Sequence, residues 1–133
     1  MPYNELNDIE VASPSVVRTA ARDFAAALAE TPQFKAFEQA YKALRDDAAA
    51  KQILATYQAK ARSLRESPRS NAASEAEHAE LERLKNEYGT RPTVQAYMRT
   101  EGELIALCQQ AAGMISESIG FNYAASCGAS CCG

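Results

Sequence analysis

The chain has 133 residues, 47% of them hydrophobic and 23% charged, a size and balance that fit one small domain with a modest core. A formal net charge of −3 and a pI near 5.2 remove the electrostatic case for direct nucleic-acid binding, which needs a basic surface. Tryptophan is absent, aromatics make up 8%, and alanine is abundant, so helix formers dominate over the β-branched and aromatic residues of strands.

The first residues, Met1 to Val11, read as a loose acidic arm. They carry neither a basic start nor an apolar stretch of the kind a secretory signal needs. No run approaches the roughly 20 apolar residues of a membrane span, so a cytoplasmic protein without a membrane partner is expected. Ser13-Pro14 reads as an N-cap followed by proline at the first helical position. Val17, Ala21, Phe24 and Leu28 then recur at helical spacing, predicting a helix to about Glu30.

Thr31-Pro32 repeats the start signal. Phe34, Phe37, Tyr41, Leu44 and Ala48 follow at steps of three and four, and a continuation carries Ile53, Leu54, Tyr57, Ala61 and Leu64 to about Glu66. Asp46-Asp47 either breaks this helix or sits on its solvent side. Ser67-Pro68-Arg69-Ser70-Asn71 is the clear central loop. Ser74 with Glu77 forms a capping box, which predicts a helix starting there with Leu81, Leu84 and Tyr88 on its apolar side. Gly89 suits the left-handed position that ends it.

The last helix is expected from about Thr90-Arg91-Pro92. Val94, Met98, Glu101, Ile105, Cys108, Ala112, Ile115 and Ile119 follow an unbroken four-three alternation, the spacing of a helix packed lengthwise on another. Gly120 ends it. The whole predicts an all-α protein of about five helices in an antiparallel bundle over 1–120, with a long C-terminal helix and an irregular cysteine-rich tail over 121–133.

In this order and spacing the residues resemble the YlbF/YmcA family of small all-helical bacterial regulators. The resemblance rests on Thr31-Pro32-Gln33-Phe34 with Phe37 and Ala40, on Asp46-Asp47 before Ile53, Leu54 and Tyr57, and on Arg91-Pro92-Thr93-Val94 with Tyr97, Glu101 and Leu104. It covers roughly Val16 to Ile119. What it implies is an all-α bundle that oligomerises and acts on other regulatory proteins, in sporulation, competence and biofilm development. Some members assemble into a complex that influences RNA processing and carries iron–sulfur clusters on cysteines. The family offers no catalytic triad or nucleotide site to transfer.

The tail Cys127-Gly-Ala-Ser-Cys131-Cys132-Gly133 is the chemically richest segment. In a reducing compartment, clustered cysteines point to metal binding or redox work more than to structural disulfides. Three thiolates on a glycine-relieved segment can close around a metal or an iron–sulfur cluster. The spacing is not that of a zinc ribbon, and Cys-Cys-Gly is not a prenylation box. Three thiolates are one short of the usual four, and Cys108 is the candidate fourth ligand in the chain, although its place on the seam also suits a small core residue. His78, the one histidine, reads first as a surface or partly buried residue and only second as a ligand.

Glu101 stands on the apolar seam, where a carboxylate must pair, reach an edge or mark a subunit contact; Arg91, Arg99 or another chain are the expected partners. Tyr41, Tyr57, Tyr88 and Tyr97 read as core. Phe121 and Tyr123 are placed to dock the tail on the bundle, and Glu75, Glu77, Glu80 and Glu82 read as a solvated face. No acid–base pair or cysteine–base pair recurs at a fixed spacing, which speaks against an enzyme. The expectation is a regulatory or scaffold protein that self-associates and holds a thiolate-bound metal or cluster. The alternatives are an adaptor with redox-sensitive thiols, or a carrier whose cysteine-rich tail is modified.

Overall fold

A computed structural model describes residues 13–66 and 71–127. The acidic arm, the Ser67–Ser70 loop, Cys131 and Cys132 lie outside them. No strand occurs among the described residues, and the all-α expectation holds. Six helices follow in order: α1 Pro14–Ala29, α2 Pro32–Asp46, α3 Ala48–Glu66, α4 Asn71–Gly89, α5 Pro92–Ile119 and α6 Tyr123–Cys127.

Each break between helices has a local cause. Pro32 stands at the first position of α2, and Thr31 caps it by accepting from the Phe34 amide at 3.2 Å while its hydroxyl donates to the Leu28 carbonyl at 2.6 Å. Asp47 leaves the helical region with ψ 94 and caps α3, its Oδ1 accepting from the Ala50 amide at 3.1 Å. Of the two readings of Asp46-Asp47, the structure takes the break. Pro92 opens α5 after Thr90 and Arg91, and Gly120 closes it with φ 67, the left-handed value that glycine adopts without a Cβ clash.

Three sequence expectations need correction. α4 begins at Asn71 rather than Ser74, because the helix continues back through alanines that need no capping box to propagate. Gly89 is the last residue of α4 and has no positive φ, since the chain leaves it through a tight turn in which the Thr90 amide still donates to the Asn86 carbonyl at 3.0 Å. The segment after Gly120 is not wholly irregular: Tyr123–Cys127 forms α6.

α3 and α4 form one antiparallel pair, and α2 packs on α5 as a second pair continuing it. The result is a long hairpin with both arms broken at the same level, at Asp47 in one and at Thr90–Arg91 in the other. Burial is thin and concentrates on the residues flanking these breaks: Ala40, Ala50, Ile53, Leu84, Val94 and Thr100 are the buried set. The Thr100 hydroxyl is satisfied within its own helix, donating to the Ala96 carbonyl at 2.8 Å and lying 3.1 Å from that of Tyr97.

The predicted seam of α5 is covered along its middle but not throughout. Val94 is buried, but Met98 is 61% exposed, and Ile115 and Ile119 also face outward. The covered side of the helix runs through Tyr97, Thr100, Leu104 and Leu107 together with Glu101, Ile105, Cys108 and Ala112 of the predicted stripe. A straight helix drifts against a strict seven-residue repeat, so a stripe of that period need not stay under a partner along its whole length.

Candidate functional site

Two places carry more than packing: the joint between the broken arms, and the far end of α5 with α6. At the joint, Arg91 ends the α4–α5 turn as the N-cap residue of α5 and reaches across to α3. Its Nε donates to Asp47 Oδ2 at 3.0 Å and its terminal amine to Oδ1 at 2.9 Å, while the Thr93 hydroxyl donates to Oδ2 at 2.6 Å. This two-point fork is the geometry in which guanidinium and carboxylate match best. The Asp47 side chain is only 10% exposed, and its carboxyl is held well below the usual carboxylate range, first by the Thr93 hydroxyl and then by Arg91 and the Ala50 amide. One carboxylate thus caps a helix and ties together two turns 44 residues apart.

Beside the joint, Phe37, Tyr41 and Tyr97 form an aromatic trio between α2 and α5. Phe37 and Tyr97 have ring centroids 5.5 Å apart, and each lies 6.3 Å from Tyr41. Tyr41 is 51% exposed, so it is a rim residue rather than the core residue its stripe suggested; Tyr57, Tyr88 and Tyr97 are half-buried. Glu101 finds neither arginine expected for it, because Arg91 is committed to Asp47 and Arg99 stays in solvent. It accepts instead from the Tyr97 hydroxyl at 3.4 Å, one turn back on its own helix. Burial and the Glu101 charge both push the Tyr97 phenol up.

On α4, Glu75, Glu77 and Glu82 are exposed as expected, and His78 lies among them in solvent. Glu80 is partly covered and bound at two points by Arg83, at 2.9 and 2.8 Å, which lowers its carboxyl; Arg83 also reaches Glu87 at 2.9 Å. Such one-turn pairs on an exposed helix support it only weakly.

At the far end, Gly120 reverses the chain and α6 packs back on α5. The Ala124 amide donates to the Ser116 hydroxyl at 3.4 Å, and Asn122 caps the short helix by accepting from the Ala125 amide at 3.1 Å. Phe121 remains 59% exposed and Tyr123 39%. Of the candidate metal ligands, Cys108 is half-buried on α5 and Cys127 ends α6. The two cysteines thus stand on helices that pack together. In kind, thiolates suit a soft metal or an iron–sulfur cluster. Among the described residues no three His, Cys, Asp or Glu side chains gather as a metal site.

The sequence stripes missed the joint because Asp47, Arg91 and Thr93 are polar residues at helix ends, where periodicity carries no signal. The available clue was that a helix break and a Pro-marked helix start both bear opposite charges. No helix of the described residues is long and apolar enough to cross a membrane.

A family model described as control of competence regulator ComK, YlbF/YmcA, matches residues 17–120. That match takes in nearly all of α1 and runs through α5 to Gly120; the cysteine tail lies beyond it. No curated protein and no solved structure matches the chain.

Proposed function

The chain belongs to the YlbF/YmcA family of regulators in ComK competence control, and we propose that it works without catalysis, by associating with itself and with other regulatory proteins. The observation that carries this reading is the apolar surface left open on a chain with so thin a core. Val16, Val17, Phe24, Met98, Met114, Ile119 and Phe121 are each between 47% and 69% exposed, while five hydrophobic residues form the buried core among the described residues. Scattered apolar residues on a surface need no explanation, but concentrations of them mark places where another molecule binds. A domain of this size has little stability to spare, so covering such surface with a partner adds directly to it.

The second part of the proposal is a thiolate-bound metal or iron–sulfur cluster held by Cys127, Cys131 and Cys132, with Cys108 as a further ligand. It is supported by the donor chemistry and by the packing of α6, which bears Cys127, on α5, which bears Cys108. When bound, such a centre would supply redox sensitivity or a cross-link between the tail and the bundle; the chain's own residues supply the thiolates and the turn that returns them.

Sedimentation equilibrium of the full chain tests the first part: concentration-dependent mass above 14.4 kDa supports it, and a monomer at all concentrations refutes it. Metal analysis and an absorption spectrum of protein purified without oxygen test the second, beside a Cys127/Cys131/Cys132→Ser variant. A metal or chromophore lost in the variant supports the tail as its site; metal-free, colourless wild-type protein leaves the thiol-adaptor reading in its place.

A further inference from the structure

α1 is a helix of 16 residues, about 24 Å long, with no buried residue and exposed throughout 13–27. Helices of this length are marginal in water by themselves and draw their stability from packing an apolar face. α1 has such a face: Val17, Ala21, Phe24 and Leu28 stand at steps of four, three and four, a stripe about 17 Å long. Only Leu28, where α1 meets α2, is half-buried, while Val17 is 60% and Phe24 47% exposed. The stripe is formed and largely uncovered.

The end of α5 has the matching defect. α2 begins opposite its middle, where Gln33 shares a cleft with Glu103, Ala106, Leu107 and Gln110. Beyond Gln110 the helix runs on to Ile119, about 14 Å, past the start of α2. Met114 is 69% exposed there, Ile115 39% and Ile119 59%, with Phe121 at 59% just after the turn. Arg18 and Arg22 against Asp23 leave α1 with a net positive charge, Glu117 stands on the α5 end, and none of the four makes an ion pair among the described residues.

We propose that α1 of one copy lies along residues 111–121 of a second copy and that the exchange is reciprocal, so that two copies close on each other about a twofold axis. The inference rests on the self-association reading above and names its surface. The two open faces have similar length, apolar character and opposite net charge, and one chain carries both, which is what a closed two-copy exchange requires. Val17, Phe24, Met114, Ile115, Ile119 and Phe121 contribute on the order of 60–120 Å² each when covered. Twelve such side chains in a reciprocal pair give roughly 700–1,400 Å², and with the small residues between them this reaches the range of a specific interface. Methionine at the centre of the α5 surface suits a contact that must adapt to an incoming helix.

The test uses full chains carrying Phe24→Asp or Ile115→Asp, alone and mixed in equal amounts, with mass followed by light scattering across a dilution series. Wild type forms dimers, and each variant alone associates roughly 30-fold or more weakly, because both of its junctions carry a buried charge. The mixture recovers association: the intact α1 of the Ile115→Asp chain meets the intact α5 of the Phe24→Asp chain. Recovery of this kind occurs only if residues 24 and 115 belong to the same junction. Circular dichroism at 222 nm confirms that helicity is kept, and Val17→Asp with Ile119→Asp provides a second pair of the same pattern. Wild-type association that neither variant weakens, or variants that do not complement on mixing, overturns the α1–α5 contact while leaving self-association standing. A wild-type chain that stays monomeric refutes self-association itself, and this contact with it.

Discussion

The joint at Asp47 and Arg91 and the outer end of α5 are parts of the same hairpin, built from helices of similar composition, yet they are covered very differently. Around the joint, Ala40, Ala50, Ile53, Leu84 and Val94 are shielded, and a carboxylate, a guanidinium and a hydroxyl satisfy one another at 2.6 to 3.0 Å. Toward the other end, Met114, Ile119 and Phe121 face solvent, and α1 stands largely open as well. Amphipathic patterning makes a helix; only a second layer at the right level gives it a core. The joint is finished within one chain, and the ends are not.

The sharpest way to break this comparison is to damage the finished part. Leu84, 4% exposed, should cost about 2–5 kcal/mol on truncation to alanine, read as a shift in the denaturation midpoint at constant slope. Asp47→Asn keeps a capping side chain but removes the charge, so the Tm at pH 7 should fall by a few degrees. Because the folded state lowers the Asp47 pKa, the stability it adds is present above the unfolded value of about 3.9 and is lost as pH falls toward the folded value. The gap between wild type and variant should therefore be flat above about pH 5 and narrow steadily as pH falls below about 4. A gap that persists in acid would mean that the charge at the joint is not what the variant removed.

Gly120→Ala probes the turn between the two regimes. No atom lies within 4 Å of an added Cβ, so the cost is that of the left-handed backbone alone, about 1 kcal/mol, and it should appear as fraying of α6. Met98→Ala sharpens the comparison from the other side. This residue stands on the predicted seam but is 61% exposed, and its truncation should change stability by no more than about 0.5 kcal/mol. A loss of about 2 kcal/mol there would extend the covered stretch of the seam to Met98.

Much of the helix order was legible because proline, threonine and glycine mark ends by local chemistry: Pro14, Pro32, Pro92 and Gly120 each do in the structure what they promise in the sequence. The stripe through Phe34, Phe37 and Ile53 and the separate one through Leu84 were legible for the same reason, since periodicity and burial share a cause. Met98, Ile115 and Ile119 were misread as covered because a stripe records that a face is apolar and not whether this chain provides its cover. Asp47 with Arg91 was not legible as a pair, since contacts 44 residues apart depend on how the arms align. Cys127 stood out by composition, but the α6 that carries it is too short to show a period.

The central claim is that the joint is complete in one copy and the ends are completed by a second. Amide hydrogen exchange of the full chain, measured at low and high protein concentration, tests it most directly. The account predicts that amides of α3, α4 and the first half of α5 exchange at rates independent of concentration, while those of α1 and of residues 111–119 become protected as concentration rises. Protection of α1 that is the same at every concentration, whether high or absent, would contradict it.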